Sequence, residues 1–280
     1  LKSGLGFKNL NRILITHGHL DHILGLGGLI STLSRWEAID SIQIYGGENS
    51  IERIRDLVYG VVLRGTRPGL DLQLNTISPG IFLETKEFTI SAFSVIHRGS
   101  DSLGFVFEER GRRPFIPERA EELAIPPGPW RRDLVNGHSV QLPDGRWITP
   151  DEVLGPERPG VRLVHIGDTG RTADLLPMCQ DADALVIEAT YLEEEAQMAD
   201  EFAHLTARRA AELALKAGVQ HLVLTHLSRR YRERDVIAEA RAVFPRAIVA
   251  RDFDHFQLRR GELLKAQEGN PPPQTETDGN

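Results

Sequence analysis

An α/β architecture is predicted for this chain from two observations. Short apolar runs of strand length alternate with helix-like stretches, and the best-defined helix is followed directly by one such run. Taken in order, Arg12–Thr16 (RILIT) reads as a buried strand and Ile23–Leu33 (ILGLGGLISTL) as a helix packed closely through its glycines. Ser41–Tyr45 and Thr89–Ile96 read as strands, with a helix at Glu52–Val58 between them. Arg162–Ile166 is a further strand, followed by a short helix near Thr172–Cys179 and a strand at Ala184–Ala189. Thr206 is placed to cap the alanine-rich amphipathic helix Ala207–Ala217, which Gly218 ends, and the strand His221–Thr225 comes next. A helix over Asp235–Val243 leads to the strand Ala247–Ala250.

Two segments break the alternation. Glu109–Pro159 is rich in proline, glycine and arginine, with IPPGP at Ile125–Pro129 and a hairpin-turn signal near Pro143–Gly145, and it is too long for an ordinary connection. Gln267–Asn280 is polar and proline-rich and is expected to be a disordered tail. The folded domain is therefore expected over residues 1–266, with 109–159 inserted in it.

At 280 residues, 40% hydrophobic and 26% charged, the chain has the make-up of a globular protein able to bury a large core. No apolar run approaches the roughly 18 residues of a membrane span, and Leu1–Phe7 lacks the features of a secretory signal, so no membrane partner is expected. The single cysteine, Cys179, excludes an internal disulfide framework and makes a reducing cytoplasm the natural compartment. A net charge of −7 counts mildly against nonspecific nucleic-acid binding, although metal ions add positive charge that a residue count omits.

The strongest chemical signal is THGHLDH at Thr16–His22. His17 and His19 follow an apolar strand directly, so an extended chain end aims both rings the same way, and Asp21 and His22 open the next helix. Three imidazoles and a carboxylate this close are costly to bury unless a cation satisfies them. Such donors suit zinc, with manganese or iron as substitutes. A solvated histidine-rich loop is the plainer alternative. Three more candidate ligands stand at predicted strand ends: His97 after Thr89–Ile96, Asp168 after Arg162–Ile166 and His226 after His221–Thr225. Ligands converging on one sheet edge are how α/β folds build sites. Seven donors exceed what one tetrahedral zinc uses, so two metals are expected.

These motifs resemble the metallo-β-lactamase superfamily: HxHxDH, a later histidine, a GD and a final strand-end histidine. From about Leu10 to Arg260 the chain is similar, more narrowly, to the ribonuclease Z family of tRNA 3′-processing endonucleases. The carrying motifs are SVIH (Ser94–His97) with the LGF after it, AIPPGP (Ala124–Pro129), LPDGR (Leu142–Arg146), GDT (Gly167–Thr169), EATY (Glu188–Tyr191), HLTA (His204–Ala207) and THLSRRY (Thr225–Tyr231). The resemblance implies an αββα sandwich with a protruding arm at 109–159. It implies two zinc ions, one held by His17, His19 and His97, the other by Asp21, His22 and His226, with Asp168 bridging. It further implies water acidified between the cations, Asp21 orienting that water and accepting its proton, and His204, steered by Glu188, protonating the departing 3′ oxygen of a precursor tRNA.

Ser228 and Arg230 beside His226 suit a phosphate clamp. In the arm, Arg110, Arg112, Arg113, Arg119, Arg131 and Arg132 face only Glu118, Glu121 and Glu122 in the same stretch, which predicts a basic surface for tRNA, with Trp130 as an anchor. His138, His165, His221 and His255 match no motif. A homodimer is expected from the resemblance alone. The family pattern includes an upstream strand pair and a glycine-rich loop, so with Leu1 as the first residue the sandwich is expected to be N-terminally truncated. HGHLDH stands in place of the usual HLHGDH, and Gly170 in place of a common arginine. The alternatives are another dinuclear phosphodiesterase or arylsulfatase-like hydrolase of this fold, and an inactive RNA-binding fragment.

Overall fold

The computed structural model of the chain describes residues 10–36, 39–66, 68–99 and 101–265; the expected tail at 267–280 lies outside them. β1 (Arg12–Leu14) is followed by α1 (Leu20–Trp36), β2 (Ser41–Gly46) and α2 (Glu48–Arg55), which continues as a π-helix over Asp56–Leu63. β3 (Asp71–Thr76), β4 (Gly80–Glu84), β5 (Phe88–Ser94) and β6 (Leu103–Glu109) come next. The inserted segment holds α3 (Pro117–Glu122), α4 (Pro129–Val135), β7 (Val140–Gln141), β8 (Trp147–Ile148) and α5 (Pro150–Val153). The chain then forms β9 (Arg162–His165), α6 (Leu176–Cys179), β10 (Ala184–Glu188), a 3-10 turn at Glu193–Glu195, α7 (Ala196–Phe202) and α8 (Ala207–Lys216). It finishes with β11 (His221–Thr225), α9 (Glu233–Arg241), β12 (Ala247–Val249), β13 (Phe256–Arg259) and β14 (Glu262–Lys265).

Two sheets carry the site. One is parallel, in the order β1-β2-β3; the other has seven strands in the order β12-β11-β10-β9-β6-β5-β4. β9 to β12 run parallel, and β6 joins β9 antiparallel with Phe105 opposite His165. Parallel strands need helical crossovers, and α8 and α9 supply them. The Thr206 hydroxyl accepts the Arg209 N–H at 3.2 Å and starts α8. Its alanines (Ala207, Ala210, Ala211 and Ala214) share one buried cluster with Leu185 and Ile187 of β10 and Leu222 and Leu224 of β11, because small side chains let the helix lie close to the sheet. On the other sheet, Ile23, Leu26 and Ile30 of α1 join Ile15, Ile44, Ile54 and Val58 in a second core. The sheets meet where the Leu103 N–H, at the start of β6, donates to the Thr16 carbonyl at 2.7 Å.

Several boundaries differ from expectation. β5 stops at Ser94, and the Val95 N–H bonds the Ser102 carbonyl just before β6 at 2.9 Å; His97 therefore sits in the loop between β5 and β6. The helix expected at Glu52–Val58 begins at Glu48 and runs on as the π-helix to Leu63. β3, β4, β6 and the β13–β14 hairpin were not expected. Among the described residues no helix is long and apolar enough to cross a membrane.

Glu109–Gly160 forms a compact unit of its own. Its small core contains Ala120, Ile125, Leu134, Val140, Leu142, Ile148, Val153 and Leu154, with Phe115 and Trp130 packed against it. β7 and β8 pair Val140 with Ile148 across the Pro143–Gly145 turn. The basic excess expected for this segment needs correction. Across Glu109–Gly160 eight arginines meet nine carboxylates, because Glu109, Asp133, Asp144, Asp151, Glu152 and Glu157 join the three glutamates near Arg119.

Candidate metal centre

The chain stays extended past β1, since the Ile15 N–H still bonds the Tyr45 carbonyl at 2.8 Å. His17 and His19 therefore leave the sheet edge together, with ring centroids 4.5 Å apart. His22 lies in the first turn of α1, its N–H on the His19 carbonyl at 3.0 Å. Asp168 follows β9 and is brought in by a close backbone approach: a Cβ on Gly167 would sit 2.8 Å from the Thr16 hydroxyl and 3.0 Å from its Cβ. The His97 loop is held by the Gly170 N–H on the Ile96 carbonyl at 2.9 Å. A Cβ on Gly170 would meet Ala203 at 2.9 Å, so a longer side chain does not fit the site as built. His226 follows β11 in the left-handed region, φ +54°, a conformation that costs a non-glycine residue energy and is found at functional sites.

These elements bring all seven candidate ligands together. His17 Nε2 is 3.0 Å from His19 Nδ1, and His97 Nε2 is 3.3 Å from the same atom. Asp168 Oδ2 lies 3.7 Å from His17, 3.8 Å from His97 and 3.4 Å from His22, whereas its Oδ1 lies 3.6 Å from His226. Asp21 Oδ2 is 3.6 Å from His22 and 3.9 Å from His226. His17, His19, His97 and Asp168 thus form one donor group, and Asp21, His22 and His226 a second. Asp168 also sits between the groups, its Oδ2 within 4 Å of His17, His97 and His22 and its Oδ1 towards His226.

The donor set fits divalent cations on three counts. Outer hydrogen bonds point the ring nitrogens inward: His97 Nδ1 donates to the Ala203 carbonyl at 2.8 Å, and His17 Nδ1 is 3.2 Å from the Thr16 hydroxyl. With Nδ1 protonated, each Nε2 offers a lone pair to the cluster. Two buried polar atoms in the middle, His22 Nε2 and Asp168 Oδ1, have no hydrogen-bond partner among the described residues. At His17, His19 and His97 the electrostatics also favour the neutral ring. Burial first, and then the neighbouring His22, hold His17 down to about 3. His19 and His97 are likewise lowered, chiefly by burial. Burial opposes charge on His22, but the Asp168 carboxylate 3.4 Å away outweighs it and raises its pKa; burial would raise Asp168, but His22 and His226 keep it ionised.

Beside the donors lies a second constellation. Glu188, at the end of β10, is fully buried. Its carboxylate accepts the Thr169 N–H at 2.7 Å, the Leu205 N–H at 3.2 Å, the Thr190 hydroxyl at 2.5 Å and His204 Nδ1 at 3.0 Å. A carboxylate this deep needs such donors. Burial works against charge on His204, yet the Glu188 bond and charge and the Asp168 charge raise its pKa. His204 Nδ1 is 4.0 Å from Asp168 Oδ2, so a titratable ring stands at the margin of the cluster.

Comparison with known proteins agrees with this geometry. Residues 2–34 match the metallo-beta-lactamase superfamily model, and residues 153–227 match the beta-lactamase superfamily domain model. The crystal structure of human tRNase Z, short form, superposes with a TM-score of 0.59 at 22% identity, covering 90% of this chain and 80% of that one. That of the metallo-beta-lactamase fold protein YhfI from Bacillus subtilis superposes with a TM-score of 0.59 at 18% identity, covering 94% of this chain and 80% of that one, which shows the fold. Ribonuclease Z of Bradyrhizobium diazoefficiens is 44% identical over 91% of this chain and 85% of its own length. The chain belongs to the ribonuclease Z family. Ribonuclease Z of Gemmatimonas aurantiaca is 37% identical over 94% of the chain and 84% of its own length.

Residues considered for RNA contact in this ribonuclease Z family member are placed less decisively. Arg230 stands 3.6 Å from Glu195 and donates to the Met198 sulfur at 2.6 Å, so a phosphate would have to compete with those partners. Ser228 Oγ accepts the Arg230 N–H at 3.3 Å. Arg131 spends its guanidinium inside its own unit, with Nε and Nη2 on the Ile125 carbonyl and the group over the Phe115 ring, whereas Arg132 is exposed. His138, His165, His221 and His255 join neither donor group.

Four contributing residues escaped the motif reading. Thr16 and Ala203 hold the His17 and His97 rings through a hydroxyl and a carbonyl, and neither residue type carries a sequence signal for that role. Asp101 accepts the Asn49 N–H at 2.8 Å and the Ser50 hydroxyl at 3.0 Å, tying the His97 loop to the start of α2. Thr190 lies inside a motif that was noticed, without a role.

Proposed function

We propose that this chain is a two-zinc endoribonuclease that removes 3′ trailers from tRNA precursors and leaves a 3′-hydroxyl on the tRNA. The observation that carries this reading is the buried Glu188 carboxylate on His204 Nδ1, set against the seven-residue donor cluster. Identity of up to 44% with proteins named ribonuclease Z supports it.

His17, His19 and His97 would hold one cation and Asp21, His22 and His226 the other, with Asp168 shared. The nitrogen and oxygen donors favour zinc, with manganese or iron as substitutes. What the pair supplies is Lewis acidity towards water and phosphate oxygens. The protein's own groups do the rest. Asp21, with its side chain 67% exposed, is placed to orient an incoming water and take its proton. His204 carries a proton for the 3′ oxygen of the upstream nucleotide as the P–O3′ bond breaks, and the phosphate stays on the trailer. Glu188 keeps Nδ1 of His204 occupied, so the transferable proton is the one on Nε2. Ser228 and Arg230 would receive a phosphate, Arg230 exchanging Glu195 for it. Arg132 would meet the tRNA body, with Arg131 bracing its helix.

A homodimer is proposed as well: the touching α1 and π-helix expose Leu20, Leu24, Tyr59 and Val61, an apolar set that a partner copy would cover. Analytical ultracentrifugation checks this, and a monomer at micromolar concentration contradicts it. A precursor-tRNA substrate also makes the cytoplasm the proposed compartment.

The test is cleavage of a precursor tRNA by the zinc-loaded protein, with end analysis of both fragments. A tRNA ending in a 3′-hydroxyl and a trailer with a 5′-phosphate is expected. Hydrolysis of a small phosphodiester with the precursor left intact would point instead to another hydrolase of this fold.

A further inference from the structure

We infer that Thr190 is a positioning residue that joins the proposed metal ligand His226 to the Glu188–His204 pair through a single hydroxyl. The inference rests on the reading of His226 as a ligand and deepens it. β10 and β11 are parallel with Glu188 opposite Thr225, and the Ala189 N–H extends the pairing to the Thr225 carbonyl at 2.9 Å. The residues just past the two strand ends, Thr190 and His226, are therefore neighbours. In an extended chain, positions two apart point to the same side, which brings Thr190 and Glu188 to bear on the same point.

Thr190 Oγ1 is 2.5 Å from Glu188 Oε2, 2.8 Å from His226 Nδ1 and 3.1 Å from the His226 carbonyl. A hydroxyl has one proton. The Glu188 oxygens already accept the Thr169 and Leu205 backbone N–H groups and His204 Nδ1, so the carboxylate acts as acceptor here too and takes that proton. The hydroxyl lone pairs then receive a proton from His226 Nδ1, and the carbonyl at 3.1 Å goes without. This assigns the His226 tautomer: Nδ1 carries hydrogen, and Nε2 keeps its lone pair towards Asp168 Oδ1 and Asp21. One side chain thus sets the ring state of a ligand whose backbone lies at φ +54°, and uses the same carboxylate that holds His204. Valine in its place would keep the shape and remove both bonds. Serine would keep both.

The experiment compares zinc-loaded wild type, Thr190→Val and Thr190→Ser by chelator-competition titration with zinc alone, and by precursor cleavage. Removing an outer-shell partner of a metal-bound histidine commonly costs 10–100-fold in metal affinity. Thr190→Val is expected to weaken one of the two zinc sites by about that factor, with Thr190→Ser recovering most of the loss. Equal affinity and equal cleavage in wild type and Thr190→Val would overturn the inference. Should the valine variant fail to fold, nitrogen-15 histidine spectra of zinc-loaded wild type decide it: a proton on Nδ1 of His226 is expected, and a proton on Nε2 overturns it. Failure of wild type itself to hold two zinc ions would instead count against the metal-centre reading.

Discussion

Glu188 shows how much one residue can be asked to do. Fully buried, it has four donors around two oxygens, and two of them, His204 and Thr190, tie it to the rings of His204 and His226, which stack with centroids 5.5 Å apart. Glu188→Gln keeps the shape but cannot hold charge on His204. It is expected to lower cleavage about 100-fold or more, in line with loss of general acid catalysis, while zinc content stays at the wild-type value; both are measured on one preparation. The candidate ligand histidines make a second prediction, on pH. His17 stays neutral until about 3 in the metal-free fold, whereas in the unfolded chain it takes up a proton near 6.5. Its contribution to stability is therefore complete above 6.5 and is lost as pH falls towards 3. His19 and His97 act in the same sense, and His22 and His204 in the opposite one. Between pH 6.5 and 5, before carboxylates titrate, the melting temperature of chelator-treated protein is expected to fall, and His17→Asn is expected to make that fall shallower. An unchanged slope in the variant would contradict the assignment.

At the scale of elements, the site is a set of loops at sheet edges drawn together by close backbone approaches. Gly167→Ala puts a methyl 2.8 Å from the Thr16 hydroxyl and must push the Asp168 loop away from the His17 loop. Such overpacking costs about 1–3 kcal/mol. A lower melting temperature together with weaker zinc binding is expected; a lower melting temperature with unaltered zinc binding would separate the loop from the site. The ligand-bearing strands were readable from sequence because each places an apolar run directly before a metal-type residue, as HLVLT does before His226. β4 and β6 were not read as strands, and neither was β3, because GIFLE, LGFVFEE and DLQLNT become strands through their neighbours: β3 along β2, β4 against β5, β6 against β9. The strand before His97 was read two residues too long: β5 ends at Ser94, and His97 joins the donor group from the loop that follows.

For the whole molecule, the family and the chemistry were evident from motifs at widely separated positions, and the charge of the inserted unit was not. Counting arginines around Arg131 suggested a basic surface, but the complete unit is balanced, so any grip on RNA there depends on placement of individual side chains such as Arg132. The ends of that unit lie together, with the Arg112 N–H on the Arg158 carbonyl at 2.9 Å. Replacing Glu109–Gly160 with a short glycine linker is expected to spare hydrolysis of a small phosphodiester and to abolish precursor-tRNA cleavage. Equal loss of both activities would assign the segment a folding role instead. The central claim is that His17, His19, Asp21, His22, His97, Asp168 and His226 hold a pair of cations on which RNA cleavage depends. It is tested most directly by stripping the protein, restoring zinc in steps, and following bound metal and precursor cleavage together. Saturation at two zinc ions per chain, with cleavage returning as the pair fills, is the predicted result. Full cleavage by the stripped protein, or saturation below two, would contradict it.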